Sequence, residues 1–142
     1  MKFYMEKHKI LIDSCVWIAL YDPNDRQHEK AKDLFAKIEN KNNIYVMHYL
    51  VLVETLSILK YKKIDVEIIN KIRNNIFKSV EIEIINNVSL KLSEKMWGQF
   101  ELPNKLGLVD VILLDYCLVN KYRLATFDKE LDETWSKLSR SK

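Results

Sequence analysis

The stretch Lys9-Ile10-Leu11-Ile12-Asp13-Ser14 indicates the fold class and the position of a functional site. Ile10 to Asp13 is a short apolar run typical of a buried strand, and Ser14 can begin a helix directly after it. The strand therefore ends on a carboxylate, Asp13, in apolar surroundings. An ionised carboxylate without a partner is costly to bury, so buried charges are normally paired or bound to a metal ion.

Three further carboxylates interrupt or close apolar runs elsewhere in the chain. They are Glu54 within Leu50–Leu56, Asp110 between Leu106–Val109 and Val111–Leu114, and Asp128 after Leu124–Phe127. Since these residues come from the middle and the end of the chain, folding would have to bring them to Asp13. If it does, a divalent cation is the simplest means of holding four carboxylates together.

Each of these residues also has an interpretation without a metal ion. Asp13, Asp110 and Asp128 can each cap the helix that follows or contains them, because aspartate is a preferred N-cap residue. Glu54 lies inside a predicted helix with apolar neighbours, so its alternative is an ion pair with a lysine.

The composition is that of a globular protein, and we expect one domain over residues 1–142. No apolar stretch reaches the roughly 20 residues that a membrane span needs, and residues 1–8 lack the pattern of a signal peptide. We therefore expect a cytoplasmic protein with no membrane contact.

The net charge of +3 permits contact with a polyanion without requiring it. Among the basic residues, Lys62 and Lys129 belong to groups near Glu54 and Asp128 that can contact phosphates.

Several site classes are excluded by residue counts. Two glycines are too few for the glycine-rich phosphate loops of P-loop and dinucleotide-binding proteins. Cys15 and Cys117 are too few for a disulfide framework or a zinc site, and both are interpreted as core packing. A phosphatase with an Asp-x-Asp motif needs an acid two residues after Asp13, where Cys15 stands.

The pattern of hydrophobic residues predicts strands that alternate with helices. The predicted strands are Ile10–Asp13, Ile44–Met47, Val80–Ile84 and Arg123–Thr126. The predicted helices are Ser14 to near Tyr21, Gln27–Glu39, Tyr49–Tyr61, Val66–Phe77, Ser89–Phe100 and Val109–Asn120, with Lys129–Leu138 a helix or an irregular tail. This order indicates the α/β class, a three-layer α/β/α sandwich around a mainly parallel sheet of four to five strands. Ligands of such sheets bind beyond the carboxyl ends of the strands, where Asp13 and Asp128 fall.

The joint pattern of these residues resembles the PIN domain family, and in particular its single-domain toxins of the VapC type. The resemblance runs from Ile10 to about Leu131. The matching segments are Asp13–Leu20, Val53-Glu54-Thr55-Leu56, Leu108–Leu113 and Leu124–Lys129, together with His28 and Ala31.

The resemblance implies a metal-dependent endoribonuclease that uses Mg²⁺ or Mn²⁺. Its four acidic positions correspond to Asp13, Glu54, Asp110 and Asp128. We expect Asp13 and Asp110 to ligate the metal ion directly, and Glu54 and Asp128 to bind a second ion or to hold water. Ser14 and Thr126 match positions whose small hydroxyl residues lie close to the site and orient the carboxylates. Cys15 stands where the family commonly has Ser, Asn or Gly.

The resemblance also implies partners. A toxin of this type would cut RNA, would be silenced by a small antitoxin that covers the acidic pocket with Arg or Lys, and would form a homodimer. Trp17 and Tyr21 are expected to contribute to the dimer surface. The alternative is a non-catalytic PIN-like module that binds RNA or a protein partner; its signature, the loss of one acid, is absent from this sequence.

Overall fold

A computed structural model of the chain describes residues 8–40, 43–86 and 105–140. Its strands are β1 (Lys9–Ile12), β2 (Ile44–His48), β3 (Ile82–Ile85) and β4 (Arg123–Ala125). Its helices are α1 (Ser14–Tyr21), α2 (His28–Asn40), α3 (Tyr49–Tyr61), α4 (Val66–Lys78), α5 (Leu108–Asn120) and α6 (Lys129–Ser139).

The strands form one parallel sheet in the order β3-β2-β1-β4. The chain thus moves outward from β1 to β3 and then crosses back to place β4 on the other side of β1. Because crossovers between parallel strands are right-handed, α1 to α4 cover one face and α5 covers the opposite face. The helix contacts agree, since α1 packs on α2 and α3, α3 packs on α4, and α5 packs on α6. The predicted three-layer α/β fold is confirmed.

Within the described residues, the predicted elements agree with the structure to within two residues at every end. The third strand is the clearest difference, because it begins at Ile82 and not at Val80. Val80 is fully exposed and lies in a turn in which the backbone N–H of Glu81 donates to Oγ of Ser79. The alternating pattern therefore starts before the strand does. The predicted helix Ser89–Phe100 lies outside the described residues.

Aromatic side chains pack together beneath α1. Trp17 is 1% exposed, and its ring lies 4.9 Å from that of Phe35 and 6.5 Å from that of Tyr45. The expectation that Trp17 contributes to a dimer surface is therefore wrong, because its indole is part of the core. Within residues 8–40, 43–86 and 105–140, no helix is long and apolar enough to cross a bilayer.

Two sets of polar contacts fix the carboxyl end of α1. His28 donates from Nδ1 to the carbonyl oxygen of Ala19 at 2.7 Å, which ties the start of α2 to the last turn of α1. Lys62, which follows α3, lies 3.0 Å from Oδ2 of Asp22 and 3.5 Å from Oδ2 of Asp25. The helix that follows Asp13 and the helix that carries Glu54 are thus joined at their far ends.

Candidate functional site

The topology places a crevice between β1 and β4. The chain leaves β1 towards α1, on one face of the sheet, and leaves β4 towards α6, which packs on α5 at the opposite face. Such a switch point is where open α/β sheets bind their ligands. Ile12 pairs with Ala125, and the next residue, Asp13, donates its N–H to the carbonyl of Ala125 at 2.9 Å. Asp13 and Thr126 therefore leave the sheet side by side at its carboxyl edge.

Asp13 is the most buried of the four predicted acids, with 6% of its surface exposed. Its Oδ1 accepts a hydrogen bond from the backbone N–H of Ser14 at 2.8 Å. Its Oδ2 accepts from the hydroxyl of Thr126 at 2.8 Å and from the thiol of Cys15 at 3.4 Å. Three donors satisfy the buried carboxylate and hold it in one orientation. The hydrogen bond that Ser14 gives comes from its backbone, whereas Thr126 uses its hydroxyl as expected.

Asp128 follows β4 and begins α6. Its Oδ1 accepts from the backbone N–H of Leu131 at 3.0 Å, so it is the N-cap of that helix. Its own backbone N–H donates to Oγ1 of Thr126 at 3.1 Å. The Thr126 hydroxyl therefore touches both Asp13 and the backbone of Asp128, and it sets the distance between the two acids.

Asp110 lies in the first turn of α5, where its Oδ2 accepts from the backbone N–H of Gly107 at 3.0 Å. Burial raises the pKa of the Asp110 carboxyl, and the negative charges of Asp13, Asp128 and Glu54 raise it further, against the opposing effect of the Gly107 N–H. Asp13, Asp128 and Glu54 therefore lie close enough to Asp110 for their charges to act on it.

Glu54 reaches this region from the second turn of α3. Buried His48 caps that helix, since its Nδ1 accepts from the backbone N–H of Leu50 at 3.1 Å. Glu54 is partly exposed rather than buried, because one side of α3 faces solvent. In the parts of the chain that the structure describes, no lysine or arginine forms an ion pair with it. The alternative interpretation of Glu54, an ion pair with a lysine, is therefore unsupported.

The capping interpretation holds for all three aspartates, and it is compatible with a role in binding. Asp13 and Asp128 are N-caps of α1 and α6, and Asp110 accepts from the residue that precedes α5. A carboxylate has two oxygens with about four acceptor positions, so Asp110 and Asp128 keep most of their ligand capacity, whereas the three donors of Asp13 leave it about one free position.

The donor set fits a hard cation bound largely through water. Its ligand atoms are carboxylate oxygens, which Mg²⁺ and Mn²⁺ prefer, and their mutual repulsion would be relieved by a positive charge. Among residues 8–40, 43–86 and 105–140, no group of three or more His, Cys, Asp or Glu is close enough to enclose an ion. That result argues against a closed zinc-type site, whereas Mg²⁺ commonly takes only one or two carboxylates and keeps several waters.

Cys15 belongs to the site, which its interpretation as core packing did not predict. Its Sγ lies 3.4 Å from both Oδ2 of Asp13 and Oγ1 of Thr126, and it accepts from the backbone N–H of Phe127 at 3.3 Å. Burial and the neighbouring Asp13 charge raise the pKa of the thiol to about 11, so it is protonated at neutral pH. The apolar surroundings of Cys15 hid this role. Cys117 is fully buried, and its packing role is confirmed.

Lysine side chains lie around the acidic region. A pocket beside Asp128 is lined by Lys105 and Lys129 and also by Glu130 and Glu133, and Lys129 lies 4.0 Å from the Glu133 carboxylate. The ammonium group of Lys30 lies 4.8 Å from the ring centre of Phe127. Lys62, by contrast, is paired with aspartates at the far end of α3. Lysines and acids are therefore mixed along this side of the site.

The fold and this acidic edge define an α/β protein with acids at the carboxyl edge of a parallel sheet, and comparison with known proteins specifies the family. A model of the PIN domain matches residues 10–135, so the chain belongs to the PIN domain family. Among solved structures, the chain is similar to VapC20 of Mycobacterium tuberculosis, a sarcin–ricin loop cleaving toxin, with a TM-score of 0.67 and 20% identity. The alignment covers 88% of this chain and 94% of that one. No curated protein sequence matches the chain.

Proposed function

We propose that the protein is a metal-dependent endoribonuclease and the toxin of a toxin–antitoxin pair. The observation that carries this proposal is the placement of Asp13 and Asp128 together at the carboxyl edge of β1 and β4, linked by the Thr126 hydroxyl, with Asp110 close enough for their charges to raise its pKa. Membership of the PIN domain family and the likeness to an RNA-cleaving toxin support the same conclusion.

In this proposal the carboxylates hold Mg²⁺ or Mn²⁺, with Asp13 and Asp110 as direct ligands. Such an ion lowers the pKa of water and neutralises charge that develops on the phosphate. Glu54 and Asp128 orient water at the site or bind a second ion. Thr126 keeps Asp13 in position through its 2.8 Å hydrogen bond. Lys105, Lys129 and Lys30 hold the flanking phosphates of the RNA strand, which positions it without reading its sequence.

The partners follow from the same proposal. An antitoxin segment with Arg or Lys would neutralise the four carboxylates and cover the crevice. Homodimer formation would use exposed apolar side chains, of which α3 offers Tyr49, Val53 and Tyr61 at spacings that place them on one side of the helix. An RNA substrate makes the cytoplasm the expected location.

The test is RNA cleavage by the purified protein and by two variants, Asp13→Asn and Asp110→Asn. The substrates are total RNA from the bacterial expression host and a hairpin with the sequence of the sarcin–ricin loop. Each reaction is run with Mg²⁺, with Mn²⁺ and with EDTA, and fragment ends are mapped. We expect discrete cuts that need the metal ion and that fall at least about a hundredfold in either variant, since a metal ligand is lost.

Cleavage that persists in EDTA or in Asp13→Asn would contradict the catalytic proposal. If the wild-type protein binds these RNAs without cutting them, the alternative of a non-catalytic binding module is supported. The sarcin–ricin hairpin is only one of the two substrates, because a solved structure that is 20% identical supports the fold of this chain and does not identify its RNA target.

A further inference from the structure

Cys15 joins two segments that carry predicted metal ligands. It lies in the first turn of α1, two residues after Asp13, and its sulfur contacts the turn that leads to Asp128. Its partners are the Asp13 carboxylate, the Thr126 hydroxyl and the Phe127 backbone. A side chain that only filled space would not need polar partners on both sides.

Each donor of this group has an acceptor, although the single proton of Cys15 can serve only one of its two acceptors at a time. Thr126 has one hydroxyl proton, which goes to Oδ2 of Asp13, and its oxygen accepts from the backbone N–H of Asp128. The Cys15 proton is then free to go to Asp13 or to Thr126, while its sulfur accepts from Phe127. The thiol and the hydroxyl thus form two parallel links between the start of α1 and the turn before α6.

We propose that Cys15 is a positioning residue that holds Asp13 in register with Asp128 and thereby sets the affinity of the site for a divalent cation. This inference rests on the proposed function, because it concerns the same carboxylates. It goes beyond that function by assigning a role to a side chain that is not itself acidic. Groups that hold metal ligands in place typically contribute ten- to a hundredfold to metal affinity.

The inference and the packing interpretation predict opposite rankings of variants. Cys15→Val keeps apolar bulk and removes both the donor and the acceptor, so it should be tolerated if Cys15 only packs. Cys15→Ser keeps a donor and an acceptor at the same backbone position, so it should be tolerated if Cys15 positions Asp13. Cys117→Val is the matched control, since Cys117 is fully buried and lies away from the acidic edge.

The experiment measures Mn²⁺ binding by calorimetry, together with the melting temperature and the kcat and KM for RNA cleavage. We expect Mn²⁺ affinity within about threefold of wild type for Cys15→Ser and Cys117→Val, and about tenfold weaker for Cys15→Val. The loss in Cys15→Val should fall on kcat at saturating RNA and be partly recovered by excess Mn²⁺. Melting temperatures measured without metal identify any variant that fails to fold.

Mn²⁺ binding by Cys15→Val equal to that of wild type, or weaker binding by the serine variant than by the valine variant, would overturn the inference. A wild-type protein that binds no Mn²⁺ would instead overturn the proposed function itself. If Cys15→Val does not fold, Cys15→Ala replaces it, because alanine also lacks both hydrogen bonds and adds no bulk.

Discussion

The hydroxyl of Thr126 donates a hydrogen bond of 2.8 Å to Oδ2 of Asp13, although 113 positions separate the two residues in the chain. The bond exists because β1 and β4 are parallel neighbours that end together at the carboxyl edge of the sheet. The same oxygen of Thr126 accepts from the backbone N–H of Asp128 at 3.1 Å. One side chain therefore links the first and the last of the four predicted metal ligands.

We expect Thr126→Val to lower kcat for RNA cleavage about tenfold or more and to weaken Mn²⁺ binding. Valine has nearly the shape of threonine but cannot donate to Asp13 or accept from Asp128. Stability should fall by about 1–2 kcal/mol, because a buried carboxylate loses a donor and a backbone N–H loses its acceptor. Cleavage kinetics, calorimetry with Mn²⁺ and urea unfolding measure the three effects.

The control is Thr126→Ser, which retains the hydroxyl and should restore metal binding to near the wild-type value. Equal activity of the valine and wild-type proteins would show that Asp13 does not need this hydrogen bond.

Removing one negative charge from the site should stabilise the metal-free protein. The pKa of Asp110 is raised by burial and by three neighbouring carboxylates, so keeping it ionised at neutral pH lowers the free energy of unfolding. Asp110→Asn retains an acceptor for the Gly107 N–H and loses the repulsion. We expect its melting temperature in EDTA to exceed that of wild type by a few degrees.

Millimolar Mg²⁺ or Mn²⁺ should reverse this order. The ion binds the folded state only, so it raises the melting temperature of the wild-type protein more than that of Asp110→Asn. Differential scanning fluorimetry across a metal titration gives both results. Identical curves for the two proteins at all metal concentrations would count against a cation site at Asp110.

Most of the fold could be predicted from the sequence, because hydrophobic residues recur with a clear period in its helices and strands. Tyr49–Tyr61 was predicted with both ends correct, and the parallel sheet followed from the alternation of strands and helices. The third strand was less accurate, because the alternating pattern extends into an exposed turn at Val80. Trp17 was misplaced for a general reason: an aromatic residue on an apolar helix has the same pattern whether it faces the core or a partner.

Prediction of the site was partial for a different physical reason. The acids stood out because charges are rare in apolar runs. Cys15 and His48 did not stand out, since each interacts through a geometry that only the folded chain creates. Cysteine in an apolar run usually packs, and histidine is not a preferred N-cap, although His48 serves as one for α3.

Glu54→Gln should abolish most RNA cleavage with little effect on stability. Glu54 is partly exposed and has no ion pair in the described residues, so the unfolding free energy should change by less than about 0.5 kcal/mol. Loss of its charge should lower cleavage about a hundredfold if it acts at the metal site. Glu67→Gln, at an exposed position of α4, is the control and should remain fully active. Comparable activity in the two variants would remove Glu54 from the proposed site.

The final prediction concerns the ion pair between Asp22 and Lys62. The hydrogen bond from Lys62 lowers the pKa of the Asp22 carboxyl, and the backbone N–H of Asn24 lowers it further, against the opposing effect of burial. The stabilisation from ionised Asp22 is therefore complete above the ordinary carboxyl pKa of about 4 and is lost as the pH falls through the lower pKa that Asp22 has in the folded protein.

The Lys62 side chain is 37% exposed, so solvent screening limits the stabilisation by this ion pair to about 0.5–1 kcal/mol. We expect Asp22→Asn to be less stable than wild type at pH 7 by this amount, and the difference to shrink as the pH falls below the ordinary carboxyl pKa of about 4. Asp33→Asn, a change at an exposed position of α2, should show no such pH-dependent difference. Because the pair joins the far ends of α1 and α3, a loss of Mn²⁺ affinity in Asp22→Asn would further show that it helps to hold α3, which carries Glu54, against α1.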